Sequence, residues 1–155
     1  MANLLKELLS HLEELAPLRH AEAWDNVGLL VGEESQAVSR VLLTIDYTNA
    51  VAAEGREQNC DCIISYHPPI FHPLKRVNGE SLIYDAIRRG VAIYSPHTAL
   101  DVAEGGTNDV LADALGLGDR RALRAMAGKS EACKLVVFVP MVQRQTVPPV
   151  MPVTA

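Results

Sequence analysis

Residues 62–101 read CIISYHPPIFHPLKRVNGESLIYDAIRRGVAIYSPHTALD. Two short apolar runs, 62–66 and 91–95, enclose a stretch at 80–89 in which Leu82, Ile83, Ala86 and Ile87 share one face at helical spacing, with Gly90 as its stop. Proline-rich sequence from Pro68 to Pro73 separates the first run from that helix. Strand, loop, helix and strand in this order predict a parallel pair joined by a right-handed crossover. The chain is therefore expected to be an α/β protein with a mostly parallel sheet and helices on both faces.

Upstream the same alternation continues. Residues 49–58 are polar and alanine-rich and suit a short helix, while 41–45 form a continuous run of β-branched residues and leucine, as expected of a strand covered on both faces. Another short apolar strand is expected at 27–31. Leu4, Leu5, Leu8, Leu9, Leu12 and Leu15 form a helical stripe that Pro17 ends, giving a first helix of about 13 residues whose leucines belong to the core. Downstream, residues 107–115 carry Val110, Leu111 and Ala114 at helical spacing before Gly116, and 134–139 read as one more strand. Residues 141–155 have no acidic side chain, no apolar periodicity and several prolines, and are expected to be disordered.

Composition narrows the function. With 155 residues, 48% of them hydrophobic, the chain is long enough for one core of roughly 100–150 residues. Fourteen basic residues against 19 acidic ones give a net charge of −5 with no Lys/Arg run, so the footprint of a nucleic-acid backbone is missing. No stretch approaches the ~18 apolar residues of a membrane-spanning helix, and the N-terminus lacks a signal-peptide core. Cys60, Cys62 and Cys133 cannot all pair, so reduced thiols and a cytoplasmic location are expected. Cys60-x-Cys62 is read as packing rather than as a zinc site, because two thiols without further partners rarely hold the ion.

The chemistry lies just after the strands, where open parallel sheets place their ligands. His67 follows the run at 62–66 directly, His97 comes two residues after the run at 91–95, and Asp101 lies four residues further on. One strand, helix and strand unit thus delivers His67, His97 and Asp101 to one edge. Two imidazoles and a carboxylate suit zinc, manganese or ferrous iron; the same dipeptides also occur in ordinary turns. Asp46 is read as a helix N-cap in preference to an acceptor that orients an imidazole. His11, His20 and His72 are read as solvated or packing residues. Neither Gly105-Gly106 nor Gly28 with Gly32 has phosphate-loop spacing, and no Gly-x-Ser-x-Gly occurs, so neither a nucleotide cradle nor a serine nucleophile is expected.

Three blocks, EAWDNVGLLVG at 22–32, ISYHPPIF at 64–71 followed by PLKR at 73–76, and YSPHTALD at 94–101, together resemble the Nif-three-like (Ngg-interacting-factor-three-like) family, also known as GTP cyclohydrolase I type 2 homologs. The resemblance runs from the first helix to about Pro140. It implies a Nif-three-like layered fold at 1–133 and two divalent metal ions, with His67 and Asp101 at ligand positions and His97 as ligand or orienting residue. Bacterial relatives often carry a second histidine where this chain has Tyr66, and the family's distant His-x-x-x-Glu has no counterpart here, since no histidine follows His97.

The resemblance further implies that 134–140 open an inserted domain similar to PII signalling proteins, with 141–155 an aberrant tail of a truncated gene product, its reading frame changed near Met141. A metal-dependent hydrolase acting on GTP-like substrates, hexameric assembly of identical chains and a protein partner in transcription are also implied. The alternative is a non-catalytic interaction or regulatory protein, or an inactive fragment.

Overall fold

A computed structural model describes residues 3–122. The expected strand at 134–139 and tail at 141–155 lie outside the described residues. The chain opens with β1 (Asn3–Leu4) and α1 (Leu5–Leu15), followed by a 3-10 turn at Leu18–His20, β2 (Gly28–Val31), β3 (Ala37–Val38), β4 (Val41–Thr44) and α2 (Asn49–Glu57). Then come β5 (Cys62–Ser65), α3 (Leu82–Arg89), β6 (Ala92–Ser95), α4 (His97–Val102) and α5 (Thr107–Ala114). Among these residues no helix is long and apolar enough to cross a membrane.

The main sheet has the order β2-β6-β5-β4, and β1 pairs with β3 in a separate two-stranded ribbon. β4, β5 and β6 are parallel, with Ile63 opposite both Leu42 and Ile93, as the alternation of strands and helices predicts. β2 joins the outer side of β6 antiparallel, with Gly28 opposite Ser95. Consequently β2 starts at the rim where β5 and β6 end.

Helices cover both faces. Ile63 and Ile93 pack with Val31, Cys60, Ile83, Ala86 and Val91 in one cluster, which buries Ile83 and Ala86 of α3 but leaves Ile87 of the expected stripe exposed. Cys62 and Ala92 point the other way, into a cluster with Leu5 and Val38 backed by Leu8 and Leu9 of α1. The two buried cysteines thus belong to different clusters, and burial pushes the Cys62 thiol up to about 12, which fits packing and not metal ligation. Ser81 caps α3 by accepting the Ile83 amide, and Gly90, at φ +66°, ends it in the left-handed conformation that glycine adopts without steric cost.

The structure corrects three expectations. β4 is an edge strand, not a strand covered on both faces: Leu43 is 73% exposed, because α1 reaches over β5 and β6 but leaves the outer half of this face open. Within α1 only Leu5 is fully buried and Leu15 is exposed, so its leucine stripe is core at one end alone. Asp46 does not cap α2; Thr48 does, accepting the Val51 amide at 3.3 Å.

Ile63 is 1% exposed and sits on the central strand between β4 and β6. Ile63→Ala should lower stability by about 3–4 kcal/mol, since neighbouring helices cannot collapse fully into the space left. Urea denaturation of the two proteins measures it, and a loss under about 1 kcal/mol would mean that the cluster around α3 does not enclose this side chain.

Candidate metal centre

The rim is built where β5 and β6 run out. Past the end of β5 the ladder to β4 continues, with Tyr66 N–H donating to Thr44 O and His67 N–H to Ile45 O, each at 2.9 Å. This carries His67 alongside Asp46, whose Oδ1 lies 2.8 Å from His67 Nδ1. Two wholly buried serines lock the turn: Ser65 Oγ donates to His67 O and Ser95 Oγ to Tyr66 O, both at 2.8 Å. Apolar strands that end in serine thus fix the backbone on which the histidine stands.

His97 opens α4 with φ at +30°, a conformation strained for any residue but glycine. Its Nδ1 lies 2.8 and 3.0 Å from the two carboxylate oxygens of Asp25, which precedes β2. The Asp25 side chain is 0% exposed and also accepts from the Thr98 amide, the Thr98 hydroxyl and the Asn26 amide. Burial alone would raise the Asp25 pKa, but bonds from Thr98, His97 and the Thr98 and Asn26 amides outweigh it and hold the carboxyl below its ordinary range. An ionised carboxylate only accepts, so Nδ1 of His97 carries a proton, and it is Nε2 that faces away from Asp25.

The predicted residues do meet on this rim. The rings of His67 and His97 are 5.6 Å apart, and Tyr66 stands against both, at 4.9 Å from His67 and 5.6 Å from His97. Asp101 is one helical turn beyond His97 on α4 and accepts the Tyr66 hydroxyl on Oδ1. Burial, then the bond to Asp101 and that residue's charge, push the Tyr66 phenol up to about 12, so at neutral pH it is a donor. Exposed Trp24 and Phe71 stand edge-on to His97, each at 6.4 Å. His72 packs against Phe71, and His11 lies exposed 3.6 Å from Glu14, so neither joins the rim.

The donor chemistry suits a divalent ion. Each imidazole has a carboxylate at Nδ1, the arrangement that fixes the ring of a ligating histidine and leaves Nε2 for the metal. Among the described residues, however, no three His, Cys, Asp or Glu side chains converge closely enough to form a cage, and Asp101 is turned to Tyr66. Strand-end spacing does not single out Asp25 as a site residue, and it puts Asp46 in the wrong role. The signal for Asp25 is its place in the block at 22–32, immediately before the strand that returns to this rim.

Comparison with known proteins gives a consistent picture. The family described as Duf34/NIF3 (NGG1p interacting factor 3) matches residues 3–147. NIF3-like protein 1 of Bos taurus is 48% identical over 118 residues, covering 73% of this chain and 31% of that protein. GTP cyclohydrolase 1 type 2 homolog of Bacillus subtilis (strain 168) is 35% identical over 139 residues, 87% of this chain and 37% of that one. A crystal structure of a Bacillus cereus protein related to NIF3 superposes with a TM-score of 0.72 at 37% identity, over 76% of this chain and 34% of that one. The chain spans about a third of the length of these relatives. A family match over nearly the whole sequence, together with a shared fold, means that the chain belongs to the DUF34/NIF3 family.

Proposed function

We propose that the chain binds divalent metal through Nε2 of His67 and His97 with Asp101 as the carboxylate ligand, and that it serves as part of a metal-dependent hydrolase. The observation that carries this reading is the doubled carboxylate and imidazole pair, Asp46 with His67 and Asp25 with His97, on rings 5.6 Å apart. Such pairs lock the tautomer and raise the basicity of the ligating nitrogen. Zinc, manganese or iron fits two nitrogens and a carboxylate, and family resemblance makes the number of ions in a complete site two.

A divalent ion here would supply Lewis acidity, polarising a carbonyl or phosphoryl oxygen and easing loss of a proton from water. This chain's residues do the rest. Asp25 and Asp46 hold the two imidazoles in register, and the Trp24 and Phe71 rings beside His97 shield it from bulk solvent. A GTP-like substrate is suggested by the name of the Bacillus subtilis relative. Assembly of identical chains into a hexamer and a regulatory protein partner belong to the same proposal.

The second reading, a non-catalytic interaction protein, is favoured by the absence of a three-ligand cage among the described residues. Metal content decides between them. Protein purified without chelators and analysed by inductively coupled plasma mass spectrometry should carry about one ion per chain or more. Less than about half an ion, with none recovered after incubation with zinc or manganese, would favour the second reading.

A further inference from the structure

β4 ends one side of the main sheet, and among the described residues only β5 pairs with it. Arg40 O accepts the Asp61 and Cys62 amides and Thr44 O accepts the Tyr66 amide, so every second peptide group here faces β5. By the two-residue repeat of a strand, the N–H and C=O of Val41 and Leu43 face outward. Such an edge is a template for another strand unless proline, charge or a bulge blunts it. The opposite edge, β2, is blunted, because its register to β6 shifts between Leu29 and Val31. Residues 41–45, VLLTI, hold no proline and no charge, and 41–44 run in unbroken register with β5.

The side chains of this edge set a direction. Val41 and Leu43 stand opposite Cys62 and Ile64 and share their face, toward α1; Ile45 continues the alternation, and all three are exposed. Arg40 precedes the run and Asp46 follows it, so opposite charges lie at equal distances along the chain from Leu43.

We propose that β4 is a docking edge for β4 of a second copy of this chain, paired antiparallel about a twofold axis at Leu43. In that register Leu43 exchanges both backbone bonds with Leu43 of the second copy, Val41 lies beside Ile45, Arg40 lies beside Asp46, and each unlike pair occurs twice. Parallel pairing in register would set Arg40 against Arg40 and Asp46 against Asp46, so the charges select the antiparallel arrangement. A groove of about 310 Å³ lined by Val41 with Leu4, Leu8 and Val38 gives Ile45 of the second copy an apolar place to enter. None of this depends on a bound metal.

Sedimentation velocity of the purified chain from about 1 to 500 μM tests the pairing, and the wild type should pass from monomer to dimer across that range. Leu43→Lys sets two ammonium groups against each other on the axis and should weaken dimerisation by about 100-fold or more. Its melting temperature at the dilute end should move by less than about 5 °C, because Leu43 is largely exposed in one chain. Arg40→Glu and Asp46→Arg chains should each stay monomeric alone and form a one-to-one heterodimer when mixed, since only the mixture restores two pairs of opposite charge. A wild type that remains monomeric overturns the proposal, and so does a dimer that Leu43→Lys leaves intact, which would place the contact elsewhere. If both charge variants are folded by circular dichroism yet dimerise alone as the wild type does, or fail to associate when mixed, the antiparallel register is overturned.

Discussion

Asp25→Ala is expected to destabilise the protein by about 3 kcal/mol, a large fraction of the total for a domain of this size. The carboxylate is wholly buried and collects the Thr98 amide at 3.2 Å, the Thr98 hydroxyl, the Asn26 amide at 2.8 Å and His97 Nδ1 at 2.8 Å. Deleting it strands all four donors, and an orphaned buried donor costs more than the net worth of the bond that it made. It also releases His97 from the positive-φ conformation that those bonds hold. Asp25→Asn keeps the volume and one acceptor oxygen but sets an amide nitrogen against a row of donors, so its loss should be smaller, about 2 kcal/mol. Urea unfolding followed by circular dichroism gives both values. An Asp25→Ala protein within about 0.5 kcal/mol of the wild type would show that this network does not hold the rim together.

That Asp25 matters so much is not legible from local sequence, for a topological reason. The rule that ligands gather beyond the carboxyl ends of strands finds His67, His97 and Asp101, because β5 and β6 are parallel and both end at the rim. It passes over β2, which is antiparallel to β6 and so brings its amino end to the same place, delivering Trp24, Asp25 and Asn26. The partner of His97 lies 72 residues away along the chain, beyond any periodicity. Asp46 misleads for a different cause: an aspartate between a strand and a helix has the composition of an N-cap, but Thr48, two residues nearer the helix, holds the extended backbone that a cap requires.

The buried strands are the most legible parts. At 62–65 and 92–95 the apolar run, the flanking glycine or proline and the length agree, and burial on both faces follows from helices on both sides. The run at 41–45 looks the same, but its position at the edge of the sheet is set by strand order, which composition does not encode. Tyr66 is legible as the neighbour of His67; its bond to Asp101 depends on how α4 turns back over the rim, and only the fold fixes that.

His67→Ala and His97→Ala should part company in one respect and agree in another. Both remove a nitrogen of the proposed metal site, so zinc affinity, measured by competition with a chelator, should fall by more than the about 10–100-fold that loss of an orienting partner costs. Asp46→Ala, which removes only the partner of His67, should stay within that range. Stability separates them. The His67 and Asp46 side chains are 49% and 62% exposed, and an ion pair so open to solvent contributes about 0–1 kcal/mol, so His67→Ala should melt almost where the wild type does. His97 is nearly buried against a carboxylate with no exposure at all, and His97→Ala leaves that charge short of a donor, costing about 2 kcal/mol in the metal-free protein. Equal stability losses in the two variants would mean that the buried pair is no stronger than the exposed one. Unchanged zinc affinity in both would overturn the proposal that these imidazoles bind metal, since the pairs of His67 with Asp46 and His97 with Asp25 are the observation on which it stands.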